Sequence, residues 1–321
     1  MERVTRQVIV ALLVLAAAAG LYGAWFPDDL TDGGRVWTLL TTAKFLAAVL
    51  AWPLAVGCAV LMLGAARLGC GQLSFWAAVV AVLLAVWSRG PTLPELFGAG
   101  WSEDPIRVMS ANIYVKSDDP TRLLSSVDAV RPDVLLIQEW NPAAADVLLG
   151  PLTERFEHHA MADNVGRFDG YAAFSRFPLT ARPFGDWRDV VVQRLDVQHP
   201  ERRVVMLNVH PASVGSVRGI RHNRTQNRFL ADLAVAEHAT VVAGDFNAPP
   251  NSAACRAFDA AGYRSTGSAA TWPRGRLPGV SPVWRIDDVR VHRFTKIDAA
   301  GVAPATGGDH VAVWADVRPS S

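Results

Sequence analysis

Six apolar runs in the second half of this 321-residue chain each border a residue able to do chemistry. Asn112 follows VMSA, Glu139 follows VLLIQ, His210 follows VVMLNV, and Asp245 and Asn247 follow VVAG. Asp287 interrupts the run WRIDDVRV, and Asp309-His310 stands immediately before VAVWADV. One such residue is ordinarily a turn former or a strand-end cap. Six in the same setting converge on one rim if neighbouring strands end together. Asp245 and Asn247, two apart on a strand, then face one side while Phe246 packs the other way. A group of this kind supports metal-assisted attack on phosphorus. A hard divalent cation such as Mg²⁺ takes one or two carboxylates and keeps several waters, polarises a phosphoryl oxygen and offsets developing charge. A His oriented by a carboxylate on its second ring nitrogen positions or deprotonates the attacking water. Amide side chains donate to the non-bridging oxygens as charge builds.

Strands must carry these residues. IRVMSANI, DVLLIQE, YAAFSRF, DVVVQRLDV, RRVVMLNVH, TVVAGDF, WRIDDVRV and HVAVWADV read as short strands, with helices expected over 120–130, 218–238 and 252–260. Many strands with helices between them predict an α/β fold, two layers of sheet flanked by helices. No repeat of fixed period is visible. On the helix after His210, Arg218, Arg221, Arg224 and Arg228 recur at helical spacing on one face. The ordinary reading is a solvated basic face. The functional one is a contact, through Arg221 in particular, to a second phosphate whose oxygens match the guanidinium fork.

Charge divides the chain. The first 100 residues hold eleven charged side chains, while the remaining 221 hold 25 basic and 25 acidic ones. A half with no net charge lacks the field of a dedicated nucleic-acid binder. Of Cys58, Cys70 and Cys255 only the last lies in the polar half, so no disulfide forms within it. Three charge-free stretches, 7–27, 45–66 and 68–88, each match the thickness of a hydrocarbon core. They predict a transmembrane region over 1–90, a bundle of about three helices with spans at about 8–26, 45–66 and 70–88. The first is a poor signal peptide, because AAAAG is followed by the apolar LYGAWF. Arg3 and Arg6 place the N-terminus in the cytoplasm and, after three spans, the polar half outside; Lys44 and Arg89 count against this. Residues 91–105, rich in Gly and Pro, read as a linker.

ANI, IQEW, NVHP, GDFN, RIDD and GGDH occur in the order and context of the endonuclease/exonuclease/phosphatase superfamily, which the chain resembles across residues 106–318. The resemblance implies a four-layer, DNase I-like α/β sandwich and metal-dependent hydrolysis of a phosphoester or phosphoanhydride, with Mg²⁺ as cofactor and Mn²⁺ as the alternative. It implies Glu139 as principal metal ligand, Asn112 as a nearby metal or phosphate contact, and Asp309 as a second acidic group at the metal. Asp245 resembles the carboxylate that orients or activates water, and Asn247 the amide that holds the scissile phosphate. His310 resembles the catalytic histidine, Asp287 its orienting carboxylate, and His210 a phosphate contact. Tyr171, in DGYAAFSRFP, stands where relatives carry a substrate-side residue. Two departures are Asp288, where relatives commonly have Tyr, and Gly308, where Ser usually precedes the DH pair.

The membrane layout further resembles anchored members of the superfamily associated with teicoplanin resistance. That implies a multi-pass protein of the cell membrane whose extracytoplasmic domain meets the lipid bilayer and a prenyl diphosphate or lipid-linked cell-wall intermediate. The alternatives are a tethered extracellular nuclease, with nucleic acid as the less favoured partner, and a sphingomyelinase-like phosphodiesterase. A non-catalytic binding module is disfavoured, since none of the expected site residues is missing.

Overall fold

The computed structural model describes residues 104–320 apart from 163–169, 188–189, 215–216, 251, 268, 275–281, 283 and 304–305, together with positions 75, 78 and 79. Apart from positions 75, 78 and 79 of the third, the three expected spans and nearly all of the linker lie outside the described residues. Among the described residues no helix is long and apolar enough to cross a membrane.

The chain runs β1 (Ile106–Asn112), α1 (Arg122–Val130), β2 (Val134–Trp140), α2 (Pro142–Thr153), β3 (His158–Ala162) and β4 (Gly170–Ser175). It continues through β5 (Leu179–Trp187), β6 (Val190–His199), β7 (Arg202–Val209), α3 (Val217–Ala236), β8 (Val241–Asp245) and α4 (Ala253–Ala260). β9 (Tyr263–Ser265), β10 (Asp287–His292), β11 (Lys296–Val302) and β12 (Val313–Arg318) complete it. Three helices fall where the sequence pattern puts them. The fourth, α2, starts as the rules for helix entry require, with the Asn141 side chain accepting from Ala144 N–H at 3.1 Å and Pro142 in the first turn. Gly150 and Pro151 near its end hide it from a periodicity reading.

Two six-stranded sheets form, ordered β11-β12-β1-β2-β4-β3 and β5-β6-β7-β8-β10-β9. The central pairs β1–β2 and β7–β8 are parallel, and the other pairs are antiparallel. The two halves therefore share one topology: β1-α1-β2-α2-β3-β4 is matched by β7-α3-β8-α4-β9-β10, and each half is completed by a hairpin. Such a duplication lies in strand order and direction, so it leaves no residue period to detect.

The central strands are apolar almost without interruption because both of their faces are covered. One face of each sheet meets the other sheet, through Val108, Leu136, Met206, Ala243, Val289 and Val313 among others. The outer face of the first sheet packs on α1 and α2 through Met109, Ile137, Leu123 and Leu148, and that of the second on α3 and α4 through Leu207, Val242, Leu230 and Phe258. The result is the expected four-layer α/β sandwich. β1 and β2 end at one rim, as do β7 and β8, while β4, β10 and β12 begin there. Ile106, where the linker enters, lies at the opposite end of β1.

Candidate active site

Between the sheets the packing grades from apolar to polar toward that rim. Beneath the site, Gln138 Nε2 donates to Asn208 Oδ1 at 2.6 Å and to Ser110 Oγ at 3.1 Å. Asn208 Nδ2 donates across to the Ile137 carbonyl and to Gln193 Oε1, each at 3.1 Å. All four side chains are buried. A satisfied amide network of this kind locks the relative position of the two sheets, because sliding either one would strand buried donors.

One step further out lie the expected carboxylates. Asn112 Nδ2 donates to Glu139 Oε1 at 2.9 Å and to Asp245 Oδ2 at 3.0 Å, linking one sheet to the other. Its oxygen accepts from Tyr114 N–H at 2.9 Å and keeps a second lone pair, so the amide bridges two acids through nitrogen. Glu139 sits at the β-bulge where β2 slips against β4, with φ of 61°. The bulge turns its carboxylate toward the rim, where Oε2 accepts from Val115 N–H at 2.6 Å. His210 Nε2 lies 3.8 Å from Glu139 Oε1 and 3.6 Å from Asp245 Oδ2.

Asp245 ends β8, a strand that approaches β7 so closely that a Cβ on Gly244 would fall 1.8 Å from the Val209 carbonyl oxygen. Only glycine fits there, which accounts for the G of GDFN. Asp245 Oδ1 accepts from Asn247 N–H at 2.7 Å, and Asn247 takes a left-handed φ of 49°, a region asparagine tolerates. Asn247 Nδ2 donates to the Pro211 carbonyl at 3.1 Å, which leaves its second N–H for a ligand. Phe246 turns inward against Phe258, and its carbonyl accepts from Asn223 and Asn227 of α3 at 2.9 and 3.3 Å.

Asp287 lies opposite Asp245 across β8 and β10, and both its oxygens meet His310 Nδ1, at 2.9 and 3.1 Å. His310 Nε2 then faces Asp245 Oδ2 at 3.8 Å and Asp309 Oδ1 at 3.7 Å. Burial acts to lower the His310 pKa, but Asp287, then Asp245 and Asp309, overcome it and hold the ring up at about 10. Burial, followed by repulsion from Asp287, pushes Asp245 up to about 6 against the opposing pull of the two histidines and the Asn247 amide. At neutral pH the site thus holds an imidazolium beside a carboxylate of raised basicity. The other Asp309 oxygen accepts from Trp272 Nε1 at 3.0 Å. Asp288 points to the opposite face, where it meets Arg285 at 2.5 Å and the buried Arg290 at 3.3 Å, leaving Asp287 as the orienting acid. Gly308 has no room for a side chain: a Cβ would lie 2.6 Å from that of Tyr114 and 2.9 Å from the Ile113 carbonyl oxygen.

Asn112, Glu139, His210, Asp245, Asn247, Asp287, Asp309 and His310 therefore meet at one rim. Tyr171 is buried in β4 opposite Gln138, the residue before Glu139, and Arg221 is exposed on α3. Sequence reasoning missed Asn208, Gln138, Asn223 and Thr271. The available signal was an amide or hydroxyl at an inward position of an otherwise apolar run. Ligand atoms of Asp245, Asp287 and His310 all lie within 4.8 Å of one another. Asp287 is committed to His310, so the hard oxygens best placed for a divalent cation are those of Glu139 and Asp245, which share Asn112 and His210 as neighbours. The donor set fits Mg²⁺, and a buried acid held at about 6 is the electrostatic signature of a place where a cation would relieve crowding.

The sequence matches the Endonuclease/Exonuclease/phosphatase family over residues 109–312, nearly the whole sandwich. The chain belongs to that family. It is accordingly an enzyme, a metal-dependent hydrolase of phosphate esters. Solved family structures share the fold: an endonuclease/exonuclease/phosphatase from Beutenbergia cavernae DSM 12333 is 20% identical, with a TM-score of 0.52 over 68% of this chain and 72% of the other. TDP2 of D. rerio, solved with a single-strand DNA product, is 16% identical, with a TM-score of 0.54 over 66% and 98%. A family protein from Bacteroides thetaiotaomicron is 14% identical, with a TM-score of 0.53 over 70% and 100%. No curated protein sequence matches this chain.

Proposed function

We propose that this enzyme is a membrane-anchored, Mg²⁺-dependent phosphohydrolase. In this reading it cleaves a phosphoester or phosphoanhydride of a lipid-linked substrate, a prenyl diphosphate or cell-wall intermediate, at the outer face of the cell membrane. Such a substrate would tie it to glycopeptide resistance. The hydrolytic part rests on one observation, the His310 ring held between Asp287 and Asp245. As an imidazolium fixed through Nδ1, His310 donates from Nε2 to a phosphoryl oxygen and cannot itself take a proton from water. Asp245, whose carboxylate faces Nε2 of His310, is the acceptor for that proton. Asn247 and His210 flank Asp245 and hold the remaining phosphoryl oxygens. A bound cation, held by Glu139 and Asp245, adds Lewis-acid stabilisation of the developing charge.

The lipid part is supported by the three charge-free stretches that precede the domain and by its balanced charge. The stretch from residue 89 to Ile106 can span up to about 60 Å when extended. It enters at the rim opposite the site, so the domain must tip over on this tether to present the site to headgroups. The test is phosphate release by the full-length, detergent-solubilised protein with Mg²⁺, comparing a polyprenyl diphosphate, duplex DNA and a phosphodiester lipid, with Asp245→Asn as control. Turnover of the prenyl diphosphate, lost in the control, is expected; turnover of DNA alone would refute the lipid reading.

A further inference from the structure

One side chain outside the reacting group is bonded to the backbone on both sides of the Asp287–His310 pair. Thr271 Oγ1 accepts from Ile286 N–H at 3.1 Å and from Asp287 N–H at 3.2 Å. Its own carbonyl accepts from Val311 N–H at 2.9 Å, the residue after His310, and its N–H donates to the Trp284 carbonyl at 2.7 Å. Thr271 is completely buried. The His310 carbonyl is held in turn by Thr306 Oγ1 at 3.0 Å.

We propose that Thr271 is a positioning residue for catalysis, its hydroxyl setting the depth of Asp287 and its carbonyl that of His310, so that the 2.9 Å contact between them is kept. Ahead of β10 the backbone is held by the Trp272–Trp284 bridge and by the Ile286 carbonyl, which accepts from Phe246 N–H at 2.9 Å, while the Ile286 and Asp287 N–H groups both turn to the Thr271 hydroxyl. Without the hydroxyl, the Ile286 and Asp287 N–H groups would face a buried site with no acceptor. The backbone would shift to find one, carrying the carboxylate with it. Threonine is suited to the task because its branched Cβ restricts χ1 and holds the oxygen in one place. A displacement of about half an ångström is enough to take a charge-assisted contact out of its best range, and misplacement of about 1 Å can cost about 100-fold in rate.

The inference rests on the hydrolase reading of the site but not on the identity of the substrate. It is tested by steady-state hydrolysis of bis(4-nitrophenyl) phosphate with Mg²⁺, using full-length Thr271→Val and Thr271→Ser proteins and His310→Ala as the inactive reference. Alongside, proton NMR follows the low-field resonance of the His310 Nδ1–H hydrogen bond. Thr271→Val should lose about tenfold or more in kcat with KM held within about twofold, and should lose or shift the low-field proton. Thr271→Ser should stay within about threefold of the parent and keep that proton. A Val protein with unchanged kcat would overturn the proposal, as would a folded Ser protein as impaired as His310→Ala. Should the Val protein not fold, the Ser protein decides by itself. Should the parent leave the probe intact, the low-field proton decides: lost or shifted only in the Val protein it supports the role of Thr271, and unchanged in all proteins it overturns it, while the prenyl diphosphate assay tests the hydrolase reading separately.

Discussion

Replacing Asp287 by Asn should move the alkaline arm of the pH–rate profile to lower pH, a result that simple loss of an orienting contact does not give. In the parent, Asp287 does two electrostatic jobs. It is the largest of the contributions that raise His310, and after burial it is the largest of those that raise Asp245. Asparagine fills the same space and can still accept from Nδ1, but it carries no charge. A charge-assisted hydrogen bond between buried groups is worth about 1.5–3 kcal/mol, or about one to two pH units. The His310 titration should therefore fall from about 10 toward 8 or 9. Relieved of its neighbour, Asp245 should drop from about 6 toward the ordinary range near 4. With Mg²⁺ bound beside it Asp245 stays ionised, so the alkaline arm of kcat/KM, which follows His310, should move to lower pH, with the maximum reduced by about 100-fold or more because the ring is less firmly oriented. The assay is hydrolysis of a chromogenic phosphodiester from pH 5 to 9.5 with Mg²⁺. Titration of histidine-labelled, metal-free protein by NMR up to pH 11 follows His310 directly. An alkaline arm or a His310 titration that stays in place or rises would refute the role assigned to His310.

The same electrostatics predict a pH-dependent stabilisation by metal. A folded pKa raised from 3.8 to about 6 means that Asp245 contributes stability below its unfolded value, lost as pH rises through about 6; the difference is about 3 kcal/mol. His310, raised to about 10, contributes stability below its ordinary 6.5 that is lost only as pH rises through about 10. Mg²⁺ should accordingly raise Tm more at pH 7.5 than at pH 5, and equal gains would contradict the assignment. Glu139→Gln should weaken Mg²⁺ binding by about tenfold or more in calorimetric titration while leaving the metal-free Tm nearly unchanged. A parent-like affinity would remove Glu139 from the cation site. Gly244→Ala, whose Cβ would press on the Val209 carbonyl, should cost about 3 kcal/mol or more in urea denaturation, and near-parental stability would show that β7 and β8 do not meet as described.

The polar ends of the apolar runs were legible because each follows a strand whose face alternation is unambiguous. Asp245 and Asn247 share a side, Phe246 turns inward, and the same alternation separates Asp287 from Asp288. Chemistry that depends on a side chain's type could be read in this way. What depends on backbone contacts could not. Thr271 looks like any threonine in a loop, and its two N–H donors are revealed only when residues 284–287 lie beside it. Arg290 is a charge in a strand that is buried between Phe246, Phe258, Asp288 and Asp259, partners that, Asp288 apart, lie far from it in sequence. The bridge that Asn112 makes between Glu139 and Asp245 is hidden for a similar reason, since the two acids reach its amide only when the sheets are docked.

The shared topology of the two halves has a consequence for how the active site comes into being. Asn112 and Glu139 come from the first sheet, whereas His210, Asp245, Asn247 and Asp287 come from the second, and His310 lies on the return into β12 of the first. Neither sheet alone carries a working set. Cation affinity is thus a property of the seam, and a slip of a single residue along it, about 3.3 Å, would separate donors that must meet within hydrogen-bonding distance. Metal binding therefore reports that one half has closed upon the other in register.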